Sequence, residues 1–242
     1  MTSLLKDRIA LITGASRGIG YATAKALAAQ GAHIIALART VGALEELDDE
    51  IKQIGGTATL VPVDLKDFEA LDRLGASIYE RWGKLDILVG NAGVLGSLAP
   101  VGHIKPKEWD EAFAVNVTAN WRLIRSLDVL LRQSDAGRAL FITSGAAHNA
   151  RAYWGLYSTT KAALETLVIT YAKEVASTAL RVNLLNPGPV RTAMRAKAMP
   201  GEDPSTLTTP AELAQHIPAL LAPHLTETGA IWDYSPGQLV KR

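Results

Sequence analysis

The sequence contains no cysteine. Disulfide staples, thiolate nucleophiles and cysteine-ligated metals are thereby excluded, and the chain suits a reducing compartment. Charge of one sign is also missing: 25 Lys and Arg stand against 24 Asp and Glu, a formal net charge of +1. No basic block stands out, which argues against a nucleic-acid partner. The longest apolar runs, such as residues 33–38, are of strand length, far short of the ~18–20 residues of a membrane span. Lys6, Asp7 and Arg8 interrupt the N-terminus before an apolar stretch could form a signal peptide. These absences predict a soluble cytoplasmic protein that binds neither membrane nor nucleic acid. The five histidines show no metal-ligand spacing, so no metal is expected. No Gly-x-Ser-x-Gly elbow supports a hydrolase.

The chain has 242 residues, 48% of them hydrophobic. A chain of that length buries about 70–75% of its unfolded surface and needs no staples. Short apolar, β-branched runs alternate with longer helical patterns. The runs at 9–13, 34–38, 59–63, 87–89, 140–143, 182–185 and 231–234 read as strands. Between them, residues 19–30, 41–54, 69–82, 107–131, 157–177 and 211–221 read as helices. The strands are near-continuously apolar, as expected when both faces are covered. Such alternation predicts an α/β fold of parallel strands with right-handed helical crossovers. No Pro/Gly/Ser-rich linker divides the chain, so residues 1–242 are expected to form a single domain. Residues 193–209, with Pro200, Gly201 and Pro204, read as a long loop or short helical lid.

The first strand runs into Thr13-Gly14-Ala15-Ser16-Arg17-Gly18-Ile19-Gly20, immediately before a helix. Glycine permits a tight turn and close approach of backbone to a ligand. The following helix N-terminus offers free N–H groups to a pyrophosphate. The spacing Thr-Gly-x-x-x-Gly-x-Gly departs from G-x-G-x-x-G and resembles the short-chain dehydrogenase/reductase family. Further marks follow in family order: Asn91-Ala92-Gly93, Asn116, Ser144, Tyr157-x-x-x-Lys161 and Asn186-Pro187-Gly188. They cover residues 9 to about 192. The resemblance implies a doubly wound, Rossmann-type sheet of seven strands in the order 3-2-1-4-5-6-7, with helices on both faces.

By the same resemblance, Gly14, Ser16, Arg17, Gly18, Ile19 and Gly20 cradle the phosphates of a nicotinamide dinucleotide. Asn91, Ala92 and Gly93 lie on its adenosine side, although Gly90 stands where the family usually has a first Asn. Pro187 and Gly188 pass close to the nicotinamide, and Val190 and Thr192 resemble the positions that bond its carboxamide and a phosphate. Asp64 resembles the adenine-contacting acid, or else caps the following helix. The second strand ends Leu37-Ala38-Arg39-Thr40, with no acid to hold a ribose 2′-hydroxyl. Arg39 and Arg17 would instead attract a 2′-phosphate, so NADPH is the expected cofactor, with NAD as the alternative.

Carbonyl reduction needs a proton donor for the developing alkoxide. A free tyrosine titrates near 10, and a nearby cation lowers that value. Lys161 lies four residues beyond Tyr157, on the same helical face, along a stripe with Leu164, Val168 and Val175. A lysine on such a stripe is costly unless it has partners. Ser144 would hold the substrate oxygen electrostatically. The resemblance adds that Lys161 binds the nicotinamide ribose, and that Asn116 holds a water linking Lys161 to solvent. Asn116 falls inside a wide apolar arc on helix 112–131, where a buried amide needs partners. The same arc predicts that the helix buries its outer side as well. The family pairs this helix across a dimer interface, so a homodimer or homotetramer is expected. His148, Trp154, Met194 and Met199 line the substrate pocket or serve as surface and packing residues. The leading expectation is an NADPH-dependent oxidoreductase acting on a small-molecule carbonyl/alcohol pair. The alternatives are an NAD-linked alcohol dehydrogenase and a non-catalytic dinucleotide-binding protein.

Overall fold

The computed structural model describes residues 3–242. Eight strands form one sheet: β1 (Ile9–Thr13), β2 (His33–Ala38), β3 (Thr57–Pro62), β4 (Ile87–Gly90), β5 (Arg138–Ile142), β6 (Arg181–Asn186), β7 (Ile231–Ser235) and β8 (Gln238–Lys241). Their order is 3-2-1-4-5-6-7-8. The first seven run parallel, and β8 is antiparallel to β7. The expected seven-stranded order is present, and the strand count is corrected to eight. The added strand turns back through Pro236-Gly237, with Gly237 at φ 82°. It is mostly exposed, so it lacks the apolar run that marks a buried strand.

Alternate residues of each strand enter opposite cores. In β1, Ile9 and Leu11 face one layer while Ala10 and Ile12 face the other. The first layer is covered by α3 (Phe68–Trp82), α5 (Ala119–Gln133) and α7 (Gly155–Glu174), which contribute Leu71, Leu123 and Leu164 among others. The second is covered by α1 (Gly18–Ala29), α2 (Val41–Gln53), α9 (Pro210–Ala214) and α10 (Ile217–Leu220), through Leu27, Leu47, Leu213 and Ile217. Three shorter helices, α4 (Pro106–Phe113), α6 (Ala146–Asn149) and α8 (Ala193–Ala198), lie on the loops at the carboxyl ends of the strands. No helix among the described residues is long and apolar enough to cross a membrane.

Two expected helices are interrupted. The helix read over 107–131 contains a π turn at Ala114–Thr118, between α4 and α5. Its cause is local: Asn120 Nδ2 donates to the Asn116 carbonyl at 2.9 Å, and the Asn116 side chain is drawn into the loop after β4. The helix read over 211–221 divides into α9 and α10 just before Pro218, whose ring cannot continue an α-helical ladder. The stretch 193–209 carries α8 and a short 3₁₀ turn at Pro204–Thr206. It is tied down by the Arg191 N–H donating to the Thr208 carbonyl at 2.8 Å.

Candidate active site

The chain leaves β1 toward β2 on one side and toward β4 on the other. That reversal opens a crevice at the carboxyl edge of the sheet, where open α/β sheets bind ligands. Every residue singled out from the glycine loop to Thr192 follows the end of a parallel strand or lies in the adjoining helices. Gly14 and Gly18 have φ of 68° and 60°, which a side chain would strain. A Cβ on Gly20 would meet both the Asn91 side chain and the Gly14 carbonyl at 2.4 Å. Ala15 is buried, while Ser16 and Ile19 remain partly accessible and Arg17 is exposed. No side chain caps the N-terminus of α1, and no acid lies in its first turn. Its leading N–H groups are therefore free to receive an anion. The chemistry of this donor set fits a dinucleotide pyrophosphate.

Asn91 reinforces the loop from inside. Its side-chain amide donates to the Thr13 carbonyl at 2.9 Å. The Asn91 and Ala92 N–H groups both donate to the Thr13 hydroxyl, at 3.0 and 3.1 Å. The departure at Gly90 has a steric reason. Gly90 pairs with Phe141 across β4 and β5, and a Cβ there would lie 2.3 Å from the Phe141 ring. Arg39 is exposed at the end of β2, with its guanidinium 3.7 Å from the Asp64 carboxylate. Asp64 does not cap α3: it accepts from the Lys66 N–H at 2.9 Å, and Asp67 caps the helix through the Ala70 N–H at 3.0 Å. Pro187 is buried, and Gly188 has φ 64°. Val190 is buried and bridged to Thr208. Thr192 caps α8 by accepting from the Arg195 N–H at 3.2 Å. Its methyl group would lie 3.4 Å from a Cβ on Gly18, so loop and cap face each other.

The second group converges on α7. Tyr157 is 8% exposed. It belongs to a small apolar cluster with Leu95 and Ala198, flanked by Leu98, Ala146, Trp154 and Met199. The Trp154 ring meets Tyr157 edge-on, with centroids 6.1 Å apart. Met194, by contrast, is exposed. Burial pushes the Tyr157 phenol up to about 12, and the neighbouring Ser144 hydroxyl acts in the opposite direction. Desolvation sets the direction, and the lowering expected from Lys161 is not among the causes acting on the phenol. Lys161 is buried and donates to the Ile142 carbonyl at 2.8 Å. Its ammonium lies 5.7 Å from the Tyr157 ring centroid. Burial pulls it down to about 8, with the Glu165 charge opposing the fall.

Asn116 is fully buried on the π turn. Its Oδ1 accepts from the Val94 N–H at 2.8 Å, and its Nδ2 donates to the Val94 carbonyl and the Thr160 hydroxyl, both at 2.9 Å. A Cβ on Gly93 would lie 3.2 Å from the Asn116 oxygen and 3.6 Å from the Lys161 ammonium. The absent side chain leaves room for both groups beside Gly93. Three contributors escaped the sequence reading. Phe141 explains Gly90, Thr160 completes the Asn116 network, and Glu165, buried on α7, follows Lys161 by one turn. Glu165 carried a usable signal, as a carboxylate four residues beyond Lys161 on an otherwise apolar stripe.

Comparison with known proteins agrees with this geometry. The family model described as short chain dehydrogenase matches residues 8–203. The uncharacterized oxidoreductase YciK of Escherichia coli K12 is 38% identical over 239 residues, covering 97% of this chain and 94% of its own. The 2,3-dihydro-2,3-dihydroxybenzoate dehydrogenase of Bacillus subtilis is 34% identical over 191 residues, covering 79% and 73%. A short chain dehydrogenase from Shigella flexneri 2a, solved in complex with NADP, superposes with a TM-score of 0.92 at 37% identity, covering 96% of this chain and 99% of its own. The chain belongs to the short chain dehydrogenase family and is an oxidoreductase of that type.

Proposed function

We propose that the protein is an NADPH-dependent reductase of carbonyl compounds with apolar substituents, with Tyr157 as the proton donor. The observation that carries this reading is the geometry on α7: the Tyr157 phenol sits in an apolar cluster with Leu95 and Ala198, with the Lys161 ammonium 5.7 Å from its ring, and a protonated phenol so placed can donate to a developing alkoxide. Ser144 orients the carbonyl oxygen beside it. Lys161, held by the Ile142 carbonyl, places a positive charge behind the phenol that favours the phenolate left when the proton moves. Leu95, Leu98, Trp154 and Met199 around Tyr157 offer an apolar wall to the substrate. When bound, NADPH supplies the hydride. Arg17 and Arg39 would receive its 2′-phosphate, and the uncapped N-terminus of α1 its pyrophosphate. The Shigella relative solved with NADP supports this cofactor. Asn116 fixes the loop after β4 against α7. Asn91, Ala92, Gly93, Asp64, Pro187, Gly188, Val190 and Thr192 complete the cofactor walls.

The test is oxidation of NADPH and NADH by the purified protein across a panel of ketones and aldehydes, with Tyr157→Phe alongside. Turnover that survives in the variant would remove Tyr157 as donor. Absence of turnover with every compound would favour a non-catalytic dinucleotide-binding protein.

The chain is further proposed to act as one domain and to assemble with itself. Trp121 and Val129 lie on the outward face of α5 and are 44% and 62% exposed. The exposed Arg125 lies between them on the same face, so the self-assembly proposed rests on these two exposed apolar side chains and not on a continuous apolar stripe. Light scattering reads the assembly directly, and a monomer would refute it.

A further inference from the structure

His148 and Glu165 have no part in the reaction as assigned above, yet they meet directly behind it. Glu165 lies on α7 one turn beyond Lys161 and is buried. Its Oε1 accepts from the Thr143 hydroxyl at 2.6 Å. Its Oε2 lies 2.6 Å from His148 Nε2 on α6, whose side chain is 48% exposed. Lys161 donates to the carbonyl of Ile142, the residue before Thr143. Lysine and carboxylate therefore grip consecutive residues where β5 ends, and residues four apart on a helix are neighbours on one face.

A buried ammonium normally has an anionic partner, and a buried carboxylate a cation or several donors. Lys161 has a carbonyl. Glu165 has one hydroxyl and one imidazole. Each lacks what the other carries. The surrounding charges are few. Tyr157 is the other titratable group on this face of α7. β7 brings Asp233, which feels His148 and is itself paired with Arg242 at 2.7 and 2.9 Å. Against that background, the Glu165 charge is the one opposing the effect of burial on Lys161.

We propose that Glu165 and His148 form a charge chain behind Lys161, in which Glu165 supplies the countercharge that keeps Lys161 an ammonium and His148 holds that carboxylate in place and covers it from solvent. The chain rests on the role given to Lys161 above. Both are positioning residues: neither reaches the reacting atoms, and both act through the lysine. With burial pulling Lys161 down to about 8, the margin above neutrality is thin. Without Glu165 the effect of burial is unopposed, and the lysine gives up its charge at lower pH.

The chain can be tested in ligand-free protein carrying ¹³C-labelled lysine. The Lys161 Cε resonance, assigned by its loss in Lys161→Met, is followed against pH. In Glu165→Gln the amide still accepts from Thr143, and the Lys161 midpoint is expected to fall by about one pH unit. Glu165→Asp, which keeps the charge, recovers part of that shift. His148→Leu lowers the midpoint part of the way, and His148→Asn, which retains a donor, stays near the native value. An unchanged midpoint in Glu165→Gln overturns the proposal. An unchanged midpoint in His148→Leu overturns the part given to His148. Should Glu165→Gln fail to fold, Glu165→Asp and the two His148 variants test the same charge chain by the same shift. Because the titration needs no turnover, it stands apart from the Tyr157→Phe assay: an active Tyr157→Phe enzyme would refute the proposed function and leave this result intact. In a turnover assay, the basic limb of the pH–rate profile moves to lower pH in Glu165→Gln, whereas a merely structural defect lowers its height without moving it.

Discussion

Asn116 and Val94 are joined at two points: the Asn116 oxygen accepts from the Val94 N–H at 2.8 Å, and the Asn116 amide donates to the Val94 carbonyl at 2.9 Å. The side chain imitates a neighbouring strand and extends the order of β4 into the loop beyond it. With Thr160 as third partner, it ties the loop to α7 at the level of Tyr157 and Lys161. Asn116→Ala would remove the side-chain partner of both the Val94 N–H and carbonyl, which are part-buried. The expected loss is about 2–3 kcal/mol of stability, read by chemical denaturation, together with reduced turnover. Thr160→Val removes one of the three Asn116 bonds together with the hydroxyl's own bond to the Tyr157 carbonyl at 2.8 Å, but leaves the Val94 pairing intact and should cost less. Equal losses in the two variants would contradict the two-point pairing.

Arg39 and Asp64 face each other at the ends of β2 and β3, so the cation proposed to receive a 2′-phosphate is partly balanced by an acid. Arg39→Asp replaces attraction by repulsion. The ratio of kcat/KM for NADPH over NADH should fall tenfold or more, since a charged hydrogen bond contributes about 1.5–3 kcal/mol. Asp64→Asn should move the ratio the other way. An unchanged ratio in Arg39→Asp would remove Arg39 from the cofactor site.

Much of the fold was legible because buried parallel strands must be apolar on both faces. All seven parallel strands were readable from that run alone, β1 with both ends matched and the others with ends displaced by at most two residues. β8 was not, because an exposed strand with one partly buried residue, Leu239, has no such run. Its only signal was Pro236-Gly237 between two short β-prone stretches. The π turn was invisible for a different reason. The buried positions 112, 116, 119, 123 and 127 keep helical spacing through it, so periodicity reads straight across. The site motifs were legible as residue types, but their partners were not. Phe141 lies 51 residues beyond Gly90, and that pairing exists only once β4 and β5 adjoin.

The Gly90–Phe141 contact gives its own prediction. Gly90→Asn would restore the residue the family usually carries there. Its Cβ would fall 2.3 Å from the Phe141 ring. Overpacking of this kind costs about 1–3 kcal/mol or more. Phe141→Leu alone leaves a cavity and also destabilises. The double variant should be more stable than the sum of the two losses implies, because each change makes room for the other. Thermal denaturation of the four proteins checks this, and strict additivity would mean that the two side chains do not compete for the same space.

Lys161 sets stability against activity. Its folded-state value, about 8, lies below the ordinary 10.5 of a lysine, so the unfolded chain binds its proton more tightly. Between those two values the unfolded state carries more protons, and stability contributed by this group rises with pH. Below about pH 8 the full cost of burying the ammonium is present. Lys161→Met removes that cost while nearly keeping the volume. It should therefore melt higher than the native protein at pH 7, and the gap should narrow as the pH is raised toward 10. Turnover should be abolished in the same variant, because under the proposed function the phenolate of Tyr157 loses the charge behind it. Thermal melts of both proteins across that range test the assignment. A variant that melts lower at every pH would show that the Ile142 carbonyl bond outweighs the desolvation of Lys161, and that the lysine stabilises the fold it is proposed to serve.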